Sequence, residues 1–221
     1  MSESIYLQET VTMDFSHPVV SAFVEKHINN GSTDRENAVS LYYAVRDSIR
    51  YTPYNIDLTE EGLKASTTLE QGHGWCVSKA LLLAACCRAA RIQSRLGYAD
   101  VKNHMSTKRL RDSMQTDIFY WHGYTEILIE GGWIKATPAF NLGLCEKFGI
   151  APLEFNGTCD SIFHPFDKNG NQHMEYLNDR GHFDDLPLER IMASFKKNYP
   201  RLKEKISADF EKDAGKEDGL S

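Results

Sequence analysis

The stretch GHGWCVSKALLLAACCRAA, residues 72–90, passes from a glycine-rich, aromatic loop into a long apolar run. From Cys76 to Ala90 only Lys79 and Arg88 carry charge. A helix that is apolar on nearly every side belongs in the middle of a domain, wrapped by other elements. Cys76 then falls at or next to the first helical turn. There the unpaired backbone N–H groups and the positive end of the helix dipole favour a thiolate over a thiol. Free cysteines are often no more than small buried hydrophobes, and Cys86 and Cys87 within the run fit that description. Cys76, with a loop on one side, fits it less well.

The whole chain is compatible with such a core. Its 221 residues, 41% hydrophobic and 25% charged, suit one sizeable globular domain. A net charge of −6 without a basic block argues against nucleic acid as a partner. The start, MSESIYLQETVTMDF, lacks a basic region followed by an apolar one, and no stretch approaches the ~20 apolar residues of a membrane span. No membrane partner is therefore expected. Five cysteines without paired spacing argue against a disulfide framework and for a reducing cytoplasm.

Residues 17–29 and 34–51 space their apolar residues as helices do, with Asp34 a candidate N-cap for the second. A loop over 52–75 leads to the Cys76 helix. Residues 94–101 read as a strand and 106–114 as a short amphipathic helix whose Lys108, Arg109 and Arg111 form a solvated face. Residues 119–130 and 133–140 alternate around Gly131-Gly132 and predict a β-hairpin. Asn169-Gly170 suggests a second hairpin, and 187–199 a last helix. Residues 1–202 then form a single domain, with 203–221 a charged, fraying tail.

Alternation in the first hairpin strand puts His122, Tyr124, Glu126 and Leu128 on one face, and Trp121, Thr125, Ile127 and Ile129 on the other, core face. His122 then looks outward, or into a cleft covered by another layer. A helix-start cysteine and a strand histidine are the two parts that thiol catalysis needs. The imidazole accepts the thiol proton and later protonates the leaving group.

Two separated segments carry a family likeness. GHGWCVSKALLLAACCRAARIQSRLGYADV resembles the transglutaminase-like segment in which Gly-x-Cys enters a helix, followed by a Leu/Ala-rich run, an arginine-containing turn and an R-x-G strand. HGYTEILIEGGWIKATPAF resembles the His-x-aromatic-x-Glu strand, glycine turn and tryptophan strand of the same superfamily, which takes in transglutaminases, bacterial transglutaminase-like cysteine proteases and peptide N-glycanases. The likeness covers about residues 35–141. It implies an α+β, papain-like fold with a central Cys-bearing helix packed on a mostly antiparallel sheet. It also implies Cys76 as nucleophile, His122 as base, and acyl transfer through a thioester, most simply hydrolysis of a peptide or isopeptide-type amide in a peptide or protein substrate.

One position departs from the family. Where an Asp normally stands four residues after the strand Trp to orient the histidine, this chain has Thr137, which accepts a hydrogen bond but brings no charge. Its absence favours an alternative, a catalytically silent fold used as a binding module. With Gly131-Gly132 as the turn, Glu126 lies opposite Thr137 and His122 opposite Asn141, whose amide oxygen would serve as in a Cys-His-Asn site. Asn141 is therefore preferred over Thr137. Gln71 is a candidate oxyanion donor beside the Cys76 N–H, and Trp75 a candidate cleft wall. No cofactor or metal is implied. His73, Cys76, Cys86, Cys87 and His104 lack the spacing of zinc ligands, and DKNGNQHMEY lacks the glycine and glutamate of a calcium loop. The segment 159–187, dense in histidine and aromatics, is expected to fold over the cleft and bring His164, Asp167, His173 or Glu175 to the Cys76 pocket.

Overall fold

A computed structural model describes residues 4–103, 106–162, 174–201 and 206–217. The helices are α1 (Pro18–His27), α2 (Asp34–Ser48), α3 (Ala65–Gln71), α4 (Cys76–Ala89), α5 (Lys108–Met114), α6 (Leu142–Lys147), α7 (Leu188–Asn198) and α8 (Phe210–Glu217). The strands are β1 (Arg50–Tyr51), β2 (His73–Gly74), β3 (Ser94–Asn103), β4 (Ile118–Ile129), β5 (Gly132–Ala136) and β6 (Met174–Phe183). The short β1 and β2 pair in parallel; the other four strands form an antiparallel sheet in the order β5-β4-β3-β6.

Every residue of α4 from Cys76 to Arg88 is buried, as its composition requires. Its start is set by the glycine-rich loop. Gly72 ends α3 in the left-handed conformation at φ +64°, which costs glycine no Cβ clash. The Gly72 N–H closes on the Leu69 and Thr68 carbonyls, and β2 then delivers the chain to Trp75. At the third helical position Ser78 Oγ accepts the Trp75 N–H at 3.1 Å, satisfying one donor at the helix start.

The two charges of α4 are both occupied. Lys79 Nζ donates to the Arg46 and Ile49 carbonyls at 2.9 and 2.5 Å, covering the C-terminal end of α2. Burial pushes the Lys79 pKa down to about 7. The Arg88 guanidinium donates to the carbonyls of Gln8, Ser94 and Asp184. Around α4 pack Val20 and Val24 of α1 and Leu41, Tyr42 and Val45 of α2, all within one hydrophobic core.

The sheet covers the opposite side. Thr125 Oγ1 donates to the Ala80 carbonyl at 2.7 Å, and Ser94 Oγ to that of Ala84 at 2.8 Å. Thr125, Ile127 and Ile129 are buried against α4, as alternation predicts. The other face is covered as well: Tyr124 and Glu126 are buried, with Arg95 pairing Glu126 at 2.5 Å and stacking on Trp133. At Gly123 the sheet passes close to the helix. A Cβ there would lie 3.0 Å from the Val77 Cα and 3.3 Å from the Cys76 carbonyl oxygen.

Three sequence expectations are corrected. The hairpin turn is Glu130-Gly131, not Gly131-Gly132, because Ile129 pairs with Gly132. Glu130 and Gly131 sit at φ +51° and +84°, both positive, as the turn matching the right-handed strand twist demands. Glu130 also pairs with Arg35. The C-terminal stretch does not fray over 206–217. Phe210 of α8 is buried against Tyr51, Tyr54 and Phe148, while Asp213 accepts from Tyr54 and Arg109. Arg109 is thus tied to α8 instead of lying on a merely solvated face. The Asn169-Gly170 turn lies outside the described residues; β6 beyond it pairs with β3.

Adding one methyl at Gly123 has no soft neighbour to displace, since both near atoms are backbone. Gly123→Ala is expected to lower stability by about 1–3 kcal/mol, read as a reduced urea midpoint with unchanged slope. An unaltered midpoint would mean that the helix–sheet contact is slack.

Candidate active site

Cys76 occupies the first position of α4 and is 5% exposed. Burial pushes its thiol up to about 11, against the pull of the Gly123, Val77 and Cys76 backbone N–H groups directed at the sulfur. The helix-start stabilisation expected from the sequence is therefore present, but desolvation outweighs it in this closed site. Cys86, Cys87 and Cys145 are also buried thiols, and Cys159 is exposed; none is in a disulfide.

Gly123, the residue after His122 in β4, runs past the start of α4: a Cβ on it would meet the Val77 Cα and the Cys76 carbonyl oxygen. His122 itself is not among the residues that line the Cys76 cavity. His122 is 3% exposed, which fits the covered-cleft reading of its face. Burial pushes its imidazole down to about 4. At neutral pH the two groups are then a thiol and a neutral imidazole.

A bulge precedes His122 that no sequence pattern revealed. On β3, Ala99 pairs with His122 and Val101 with Phe119, so Tyr120 and Trp121 together oppose Asp100. Trp121 stands at φ +60°, a conformation seldom taken by a bulky residue. The buried Asp100 carboxylate holds it there, accepting from the Trp121 N–H at 3.1 Å and from Arg180 Nε at 2.5 Å. Arg180 also covers the Trp121 ring at 4.6 Å. Bulges of this kind re-aim the next side chain, and here the next side chain is His122.

The remaining candidates separate. Continuing the observed register by one residue puts Thr137 opposite Tyr124, two residues from His122, and position 139 rather than 141 opposite His122. Asn141 Oδ1 accepts from the Tyr51 N–H at 2.9 Å, and Nδ2 donates to Glu211. The register argument that favoured Asn141 is thus removed. Thr137 is 1% exposed, and its Oγ1 has no hydrogen-bond partner among the described residues. Gln71 lines a small polar cavity with His73 and Asp57, behind Trp75, and not the cavity of Cys76. Trp75 lines both.

The Cys76 cavity is apolar, of about 30 Å³, and lies beneath α7. Phe195 packs on Trp75 with ring centres 5.7 Å apart, and Tyr199 on Tyr120 at 5.8 Å. The Tyr199 hydroxyl accepts from the Tyr120 N–H and donates to the Ile118 carbonyl, pinning the roof to β4. Phe195 and Tyr199 are four apart on the helical pattern of 187–199, a signal the sequence did carry. His164, Asp167 and His173, expected at this pocket, lie outside the described residues. Glu175 pairs with Lys102 on the β6–β3 ladder and does not line the Cys76 cavity. Among the described residues no cluster of His, Cys, Asp and Glu could hold a metal, and no helix is long and apolar enough to cross a membrane.

Residues 21–138, just over half of the chain, match the transglutaminase-like superfamily, and the protein belongs to it. No curated protein matches the sequence. Among solved structures it is similar to a candidate cysteine protease from Cytophaga hutchinsonii, at 14% identity and a TM-score of 0.47, over 80% of this chain and 53% of that one. The chain thus spans about half the length of that protein.

The elevated thiol pKa has a direct readout. The alkylation rate of Cys76 by iodoacetamide, followed by mass spectrometry, is expected to keep climbing to about pH 11. A plateau already reached by pH 7 would show a preformed thiolate. The bulge is tested by stability. Asp100→Ala strands Arg180 and the Trp121 N–H and is expected to cost on the order of 3 kcal/mol. Asp100→Asn, which keeps an acceptor for the Trp121 N–H, should cost less. Equal urea midpoints for the two variants would deny that this hydrogen bond matters.

Proposed function

We propose that the protein transfers acyl groups through a thioester on Cys76, and that its reaction is hydrolysis of a peptide or isopeptide-type amide. Membership of the superfamily supports a cysteine-based enzymatic role in general. The observation that carries the finer reading is the junction at Gly123. The Gly123 N–H of β4 acts on the sulfur of Cys76 at the start of a buried helix, and the next residue back along the strand is the buried His122.

Because both groups rest neutral, the chemistry starts as general base catalysis and not from a standing ion pair. His122 takes the Cys76 proton as the sulfur attacks the substrate carbonyl, forming the C–S bond. The oxyanion is met by backbone N–H groups at the start of α4, the Cys76 N–H first among them. The tetrahedral species collapses as His122 protonates the departing amine. A water, deprotonated by His122, then attacks the thioester; the C–S bond breaks, the acid leaves, and His122 returns the proton to the Cys76 sulfur. We assign the Thr137 hydroxyl to fix the imidazole, since its Oγ1 has no partner among the described residues while Asn141 is engaged with Tyr51. A free nucleophilic thiol beside four other unpaired cysteines suits a reducing compartment such as the cytoplasm.

A second reading has its own observation. Thr137 brings no charge to the histidine, and the closed cavity keeps the thiol protonated, as a silent binding module would tolerate. Incubation with a peptide library, read by mass spectrometry, separates the two. Cleavage or deamidation products should appear, vanish in Cys76→Ala, and fall about 10²–10⁴-fold in His122→Ala, while Cys86→Ala and Cys87→Ala remain active. Turnover equal in Cys76→Ala removes the nucleophile; saturable peptide binding without products establishes the binding module.

A further inference from the structure

Beside the Cys76 cavity lies a larger groove, of about 430 Å³, between the 56–58 loop and the outer side of α7. Ile56, Leu58, Met192, Phe195, Tyr199 and Pro200 line it, and Lys196 is the only charged residue on its walls among the described residues. Ile56, Phe195 and Tyr199 wall the Cys76 cavity too, so the two spaces adjoin across these three side chains. The Tyr199 hydroxyl is turned away to the Tyr120 and Ile118 backbone, leaving its ring to the groove.

We propose that this groove is the specificity subsite of the enzyme and receives a bulky apolar side chain of the substrate, such as Leu, Met or Phe, next to the amide that Cys76 attacks. The proposal rests on the amide hydrolysis proposed above. The space at the sulfur is about 30 Å³, room for roughly one water. A large side chain adjoining the scissile carbonyl must therefore go elsewhere, and the space on the other side of Ile56, Phe195 and Tyr199 is the groove. Its volume lies within the range of pockets that enclose small ligands, roughly 300–1,000 Å³. Its chemistry agrees: Met192 on the rim is 46% exposed, and an unbranched thioether adapts its shape to varied apolar partners. Lys196 disfavours a second cation at the same place.

The test uses the full chain and a set of peptidyl acyloxymethyl ketones identical except for one side chain: Leu, Phe, Gly, Glu or Lys. Inactivation rate constants are read from the mass of the Cys76 adduct, with iodoacetamide at pH 9 as a reagent that needs no subsite. The Leu and Phe probes are expected to react about tenfold or more faster than the Gly, Glu and Lys probes. Met192→Lys and Ala193→Trp, both on the exposed side of α7, should erase that preference and leave iodoacetamide labelling unchanged. Equal rates across side chains, or a preference that survives both substitutions, overturns the subsite while the nucleophile stands. Absence of any Cys76 adduct, with iodoacetamide included, overturns both.

Discussion

A helix without a solvent-facing side has to be enclosed on every azimuth, and α4 imposes that requirement on the whole chain. The sheet closes one side through Gly123, Thr125 and Ile127, and α1 and α2 close the other. Its two charged residues are admitted only because each reaches backbone carbonyls: Lys79 those at the end of α2, Arg88 those of three separate segments. The enclosure also places the reactive group. A cysteine at the first position of such a helix is at once in the core and at a helix start, so desolvation and backbone N–H groups act on the same sulfur in opposite directions.

That opposition gives the site its resting electrostatics. Burial raises the thiol and lowers the imidazole, so the pair stores no separated charge while the cavity is closed. A substrate that displaced the α7 aromatics would alter the dielectric of both groups together. Without an aspartate behind the histidine, the neutral pairing is also what a threonine at position 137 can serve, since a hydroxyl accepts from an imidazole N–H but brings no negative charge to offset an imidazolium.

Much of this was legible in the sequence because it follows from composition and period. The apolar run from Cys76 predicts a central helix, and the alternation of Thr125, Ile127 and Ile129 identifies the face that meets it. What failed were features set by local backbone choices. Glu130 enters a positive-φ turn that composition assigns to Gly131-Gly132, and that one-residue slip moved every cross-strand partner, taking Asn141 away from His122. The bulge at Trp121 was hidden because an aromatic residue predicts no left-handed conformation; it exists through a carboxylate 21 residues earlier in the chain. The order of α8 was masked by its charge, yet Phe210 and Ala214 alone supply its buried side.

The Arg88 guanidinium bears on how the molecule comes to be folded. Its acceptors are the carbonyls of Gln8, Ser94 and Asp184, separated by 80, 6 and 96 residues from the arginine itself. Until the segment at Gln8 and the stretch between β6 and α7 have both arrived, the buried cation lacks two of its three acceptors. Closing loops of that span is slow relative to local helix formation, so the last steps of assembly are gated by segments that are far apart in synthesis. A nascent chain can form α1 to α4 early, but it gains a satisfied interior only after residue 184 has left the ribosome.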